Sequence, residues 1–303
     1  MAAHQTSIEI DPSVPAELEA GTDITLRPKV TCAEGCDLCG YPIRVKAGEE
    51  IIYTGAVEHS SVITMRAPGK LGVHAWTVML PGLEVEGVIH EESSLVVSFT
   101  TLPHTTSMAL WSVPSPVVMN DSFAVKVGVK CSVSCPMGGR FIEVFDAAGV
   151  RIGKGHLGET PWPGSTALYV ADVELVAPAA EGMVSWSARF AASDFGLPHA
   201  ETSVLFSFRT VRPPEYSVTV QVTQKDTECP LENVDVRLGV YRASTDTRGR
   251  ASFALPAGVY DLAAWKAGYE TSPRMVEVAD NLMVRLEAVC CPPEDPDDSQ
   301  VWM

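Results

Sequence analysis

Apolar and polar residues alternate along most of this chain. Ile8 and Ile10 alternate with polar neighbours, as do Ile24 and Leu26, then Ile43 and Val45. Val125, Val127 and Val129 repeat the rhythm further on. A period of two puts successive side chains on opposite faces of an extended backbone, so each stretch predicts a half-buried antiparallel strand. The 22 prolines and 23 glycines are spread along the chain as turn punctuation. No long stretch carries the 3.6-residue period of an amphipathic helix, and residues 17–21 and 188–192 predict a turn at most.

The first 212 residues contain one unit twice. Val30-Thr-Cys32-Ala-Glu-Gly-Cys36-Asp-Leu-Cys39-Gly-Tyr-Pro-Ile43-Arg-Val45 aligns with Val129-Lys-Cys131-Ser-Val-Ser-Cys135-Pro-Met-Gly138-Gly-Arg-Phe-Ile142-Glu-Val144. Further on, Ala67-Pro68, Gly72 and Trp76 answer Ala177-Pro178, Gly182 and Trp186. His90 and Ser94 answer His199 and Ser203. A spacing near 100 residues is too long for a solenoid and fits duplicated sandwich domains. One tryptophan on an inner strand of each copy predicts a large apolar group between two sheets. These features resemble the broad immunoglobulin-like or fibronectin-like architecture, which by itself names no function.

After Pro213-Pro214 the pattern changes. Tyr216–Val222 and Pro230–Leu238 are followed by Thr245-Asp246-Thr-Arg-Gly249, then Phe253-Ala-Leu255-Pro-Ala-Gly258-Val-Tyr260, and finally Gly268-Tyr269. Asp246 and Gly249 predict a tight turn, the first capping backbone amides and the second tolerating positive φ. In this order the motifs resemble the carboxypeptidase regulatory-like family, over roughly residues 215–288. The resemblance implies a transthyretin-like sandwich acting as an adhesion, stability or interaction module, with no catalytic residue. The expected fold class is all-β, three tandem antiparallel β-sandwich domains. Residues 1–103 and 104–212 form the two immunoglobulin-like repeats. Residues 213–289 form the regulatory-like sandwich, and 290–303 an acidic, proline-rich tail, disordered or docked.

Composition narrows the function. A 46% apolar share argues against a mainly disordered chain, and a net charge of -16 repels nucleic-acid phosphates and anionic lipid. The longest apolar runs fall far short of the ~20 residues that span a bilayer. The first residues have neither a basic start nor an apolar stretch, so the expected location is cytoplasmic, with the cell surface or a virion as the alternative.

Little in the sequence points to catalysis. There is no nucleophile elbow, phosphate-binding loop, dinucleotide fingerprint or His-Glu-x-x-His. Cys32, Cys36 and Cys39 offer three soft ligands within eight residues, and the second copy offers Cys131 and Cys135 with Gly138 at the third place. The structural reading makes each close pair buried thiols or a local disulfide. The alternative is zinc or iron on Cys32, Cys36 and Cys39, completed by Cys290, Cys291 or a partner chain. His90 beside Glu91 and Glu92, and His199 near Glu201, read as strand-start histidines kept by the duplication, with metal binding or proton transfer as the sharper alternative.

The function expected is therefore a non-catalytic structural or assembly subunit, using no cofactor. Its partners are protein subunits of a larger assembly, a second copy of the chain among them. Trp302 and Met303 in the tail, and Trp162 in a proline-framed loop, are the candidate docking groups. The alternatives are a carbohydrate- or surface-binding module using Trp111, Trp162 and Trp265, and a small metal or redox protein built on the cysteine cluster.

Overall fold

The computed structural model describes residues 3–291; the tail candidates Trp302 and Met303 lie outside the described residues. The chain is all-β, and no helix occurs among the described residues. Its buried side chains fall into three separate cores: from Ile8 to Phe99, from Val117 to Phe208, and from Val218 to Ala288. Each core lies inside its own sandwich, so the protein is a tandem of β-sandwich domains.

The first two sandwiches share one plan. In the first, a five-stranded sheet runs in the order Glu17–Glu19, Ser93–Leu102, Gly72–Leu80, Pro42–Ala47, Glu50–Ala56. In the second, the order is Val117–Val118, Thr202–Val211, Gly182–Phe190, Phe141–Phe145, Arg151–His156. The expected core tryptophans occupy these sheets. Trp76 and Trp186 are 2% and 5% exposed, and each meets a phenylalanine edge-on with ring centroids 4.8 Å apart, Phe99 and Phe208 respectively.

The facing sheets differ, and one residue explains it. In the second sandwich, Ser122–Cys131 is an unbroken strand between Thr106–Trp111 and Leu168–Val176. The matching stretch of the first is split: Asp23–Leu26 pairs with Ile63–Arg66, and Pro28–Cys32 pairs with Thr6–Ile10. Pro28 stands where the repeat has Val127, and a proline cannot donate to a ladder.

The third sandwich packs two four-stranded sheets. Its turn motif behaves as the residue types require. Asp246 Oδ1 accepts from the backbone N–H of Arg248 and of Arg250, both at 2.9 Å. Gly249 has φ +70°, and a Cβ there would sit 2.5 Å from the Val222 carbonyl oxygen. Buried Thr245 donates its hydroxyl to Leu231 O at 2.6 Å and accepts from Val234 N.

Candidate metal centres

Each of the first two sandwiches gathers two cysteines and two histidines at its leading end. His4, Cys32, Cys36 and His90 form one cluster, and His104, Cys131, Cys135 and His199 form the other. Within each, the four ligand atoms all lie within 4.8 Å of one another. Four of the chain's seven histidines and four of its eight cysteines are thereby accounted for.

The strands assemble both clusters in the same way. His4 pairs in parallel with His90, and His104 bridges in parallel to His199. Two residues beyond each leading histidine, Thr6 pairs with Cys32 and Thr106 with Cys131. That register sets the first cysteine beside the histidine pair. A tight turn then brings the second cysteine round: Gly35 N bonds Cys32 O at 3.0 Å, and Ser134 N bonds Cys131 O at 3.1 Å. Gly35 and Ser134 both have positive φ, 74° and 60°. For Ser134 this is a strained choice, tolerated where the turn requires it.

The distances suit a small tetrahedral ion. His4 Nδ1 lies 3.2 Å from Cys36 Sγ and 3.9 Å from Cys32 Sγ. His104 Nδ1 lies 3.2 Å from Cys135 Sγ and 3.7 Å from Cys131 Sγ. A tetrahedral zinc with bonds of ~2.0 Å to nitrogen and ~2.3 Å to sulfur holds its ligand atoms roughly 3.3–3.8 Å apart.

The histidine tautomers agree. His199 Nδ1 donates to Leu197 O at 2.7 Å, since a carbonyl only accepts. That leaves Nε2 as a lone pair, and among the described residues this buried atom has no hydrogen-bond partner. His90 Nε2 is buried and unpartnered in the same way, with the Tyr41 hydroxyl 3.4 Å from its other nitrogen. His90 and His199 are 3% and 2% exposed. An orphaned buried acceptor costs about 1–3 kcal/mol, a cost a metal bond at that atom removes. His104 Nε2 donates to Ala20 O at 2.7 Å, which leaves its Nδ1 lone pair facing the cysteines. Such second partners on metal-binding histidines fix ring orientation and tautomer.

Burial sets the protonation of the ligands. It is the main cause that lowers the His199 pKa below 6.5, favouring the neutral imidazole that a metal needs. It also leads in pushing the Cys135 thiol up to about 11, helped by neighbouring Cys131. Burial works against the Cys32 thiolate too, yet the backbone N–H groups of Cys36 and Glu34 and the Cys36 thiol outweigh it, and the pKa falls. Cys36 moves up, chiefly through its pairing with Cys32. Two thiolates and two neutral imidazoles around a divalent ion sum to zero charge, which a buried site can hold.

The expected ligand set is corrected in two places. Cys39 is exposed, outside the cluster, and its N–H is turned toward Asp37 Oδ1 at 2.9 Å. The x2 spacing carries it past the turn that brings Cys36 inward. Cys290 and Cys291 belong to the third sandwich, where Cys290 pairs with Tyr269 and Cys291 N bonds Gly268 O. The groups that the structure adds beside the cysteines are the histidines. Their signal was a repeated interval: His4 and His104 precede the cysteine pairs at almost the same distance.

The tryptophans divide. Trp162 is 41% exposed, meets Trp111 edge-on at 6.1 Å and lies under the Lys126 ammonium at 5.6 Å. Trp265 is 70% exposed on the third sandwich.

No protein-family model matches the chain, and no curated protein matches it. Among solved structures, the chain is similar to the ICAM-5 D1–D4 ectodomain fragment, with 13% identity, 89% of this chain and 75% of that one covered, and a TM-score of 0.29. It is also similar to the fibronectin(III)-like modules of Clostridium thermocellum CbhA, with 15% identity, 67% and 94% covered, and a TM-score of 0.24. A third similarity is to BcpA, the major pilin subunit of Bacillus cereus, with 7% identity, 94% and 99% covered, and a TM-score of 0.23. At these scores the fold class rests on the chain's own sheets and cores. Among the described residues no helix is long and apolar enough to cross a membrane.

Proposed function

We propose that this chain is a non-catalytic structural protein whose first two sandwiches are each stapled by one zinc ion bound through two cysteines and two histidines. The observation that carries the reading is the pair of orphaned, buried Nε2 atoms on His90 and His199, each facing two thiols and a second imidazole. A site closed by four protein ligands has no open position for substrate, so the metal's work is mechanical support. Cysteine and histidine in tetrahedral array favour zinc among common divalent ions.

The staples serve a contact protein of tandem sandwiches. Each sandwich leaves large apolar side chains on an outer face: Val73 and Val96 on the first, Met183 and Leu205 on the second, Val259 and Met275 on the third. These suit protein neighbours in an assembly. The turn around Thr245, Asp246 and Gly249 supports reading the third sandwich as a regulatory-like interaction module.

Metal analysis of the full chain tests the proposal. The expected result is two equivalents of zinc. Cobalt substitution should give the intense visible bands of tetrahedral thiolate coordination, unchanged in Cys39→Ser and halved in Cys32→Ser/Cys36→Ser. Finding Cys32–Cys36 and Cys131–Cys135 disulfides, with no metal bound under reducing conditions, overturns it.

A further inference from the structure

The second cluster touches the first sandwich through residues of the cluster or close beside it. His104 Nε2 donates to Ala20 O at 2.7 Å. Thr105, next to His104, donates its N–H to Glu19 Oε1 at 2.7 Å. Ser132, next to Cys131, donates its hydroxyl to the same carboxylate, 2.7 and 2.8 Å from its two oxygens. Leu197, two residues before His199, sits so close to Gly21 and Gly69 that a Cβ on either would lie 2.7 Å and 3.2 Å from it. Glu19 ends the short strand Glu17–Glu19 that adds in parallel to Ser93–Leu102, and Ala20 just past it bonds Leu102 O through its N–H, so both move with the first sandwich.

We propose that the metal of the second cluster locks the junction between the first two sandwiches, a role that rests on the zinc reading above. Metal on Nδ1 fixes the His104 ring. The fixed ring aims Nε2–H at Ala20 O, and the rigid Cys131 turn holds Ser132 under Glu19. Without metal, the ring is held by its hydrogen bonds to Cys135, Cys131 and Ala20, and the cysteine turn is free to shift. The first cluster has no such role, because Ala33 there carries no hydroxyl where the second has Ser132. Linkage makes the lock reciprocal: a junction that favours metal loading is itself favoured by the metal.

Two measurements on the full chain test it. The first places fluorophores, through encoded non-cysteine residues, at Val73 and Leu205, each 79% exposed on its own sandwich. Energy transfer should report one narrow distance with zinc bound. It should broaden in Cys131→Ser/Cys135→Ser and stay narrow in Cys32→Ser/Cys36→Ser. The second uses Glu19→Ala, which removes no ligand. Zinc affinity of the second site should fall about fivefold while the first is unchanged. Two zinc ions bound by the unaltered chain, with the same distance distribution in it and in both cysteine variants, and an unchanged second-site affinity in Glu19→Ala, overturn the lock and leave the staples standing. A full chain that binds no zinc overturns both.

Discussion

The two clusters use the same residue types at corresponding places in the repeat, yet their surroundings differ. At the first, His4 stands on the two-residue strand Ala3–His4 and is partly exposed. At the second, His104 is 2% exposed beneath Ala20, and Phe195 stacks on His199 with ring centroids 4.0 Å apart, the Arg140 guanidinium lying 4.1 Å from the Phe195 ring centroid. The same four residue types thus form a partly exposed cluster in one copy and a buried cluster at a junction in the other.

The sharpest way to break the comparison is to remove each site in turn. Cys131→Ser/Cys135→Ser should lower the unfolding free energy of the second sandwich by about 4 kcal/mol when free zinc stands ~1,000-fold above Kd. In calorimetry that is a Tm loss of ~15 °C or more for a domain of this size. The matching Cys32→Ser/Cys36→Ser change should lower the first transition and leave the second in place. A single shared shift in both variants would contradict two separate staples.

Exchange gives the next effect. A chelator should strip the first site at least ~10-fold faster than the second, because His4 is partly exposed on a two-residue strand whereas His104 is buried. Cobalt absorbance against time should show two phases, the faster one lost in His4→Ala. One uniform phase would mean that the coverage at the junction has no influence on access.

Acidity separates the sandwiches in a third way. Burial holds His199 neutral in the folded state and lowers its pKa beneath 6.5. As pH falls through that range the unfolded chain takes up the proton first, so stability is lost on acidification and is fully present above it. The third sandwich has no histidine. In the metal-free protein, urea midpoints should therefore fall between pH 8 and pH 5.5 for the second sandwich and hold for the third. Equal loss in both would place the effect elsewhere.

The smallest effect tests the duplication itself. Thr101 and Thr210 are both buried, and each donates its hydroxyl to a turn carbonyl at 2.6 Å, Lys70 O and Ala180 O respectively. Valine at either should cost about 1–2 kcal/mol in denaturant unfolding, the two within ~0.5 kcal/mol of each other. Thr101 also contacts His74 Nε2 at 3.0 Å, so a clearly larger loss there would assign that contact a role of its own.

Much of the fold was legible in the sequence because its information is local. Alternation at Ile43 and Val45, or at Val125, Val127 and Val129, gives strand and face together. The Thr245–Gly249 turn is legible for the same reason, since its hydrogen bonds close within a few residues. The clusters were half legible. Cys32 and Cys36 stand together in sequence, but the partners of each pair arrive through parallel pairings such as His4 with His90, which no short window records. Proximity in sequence drew attention to Cys39, although Gly138 in the second copy already marked that place as dispensable.

The parallel bridge between His104 and His199 has a mechanical consequence. His104 N bonds Pro198 O at 2.8 Å and Ala200 N bonds His104 O at 2.9 Å, at the point where the chain enters the second sandwich. Tension applied along the chain therefore reaches that sandwich first at this bridge. The pull falls on both backbone bonds and on the ring beneath them at once.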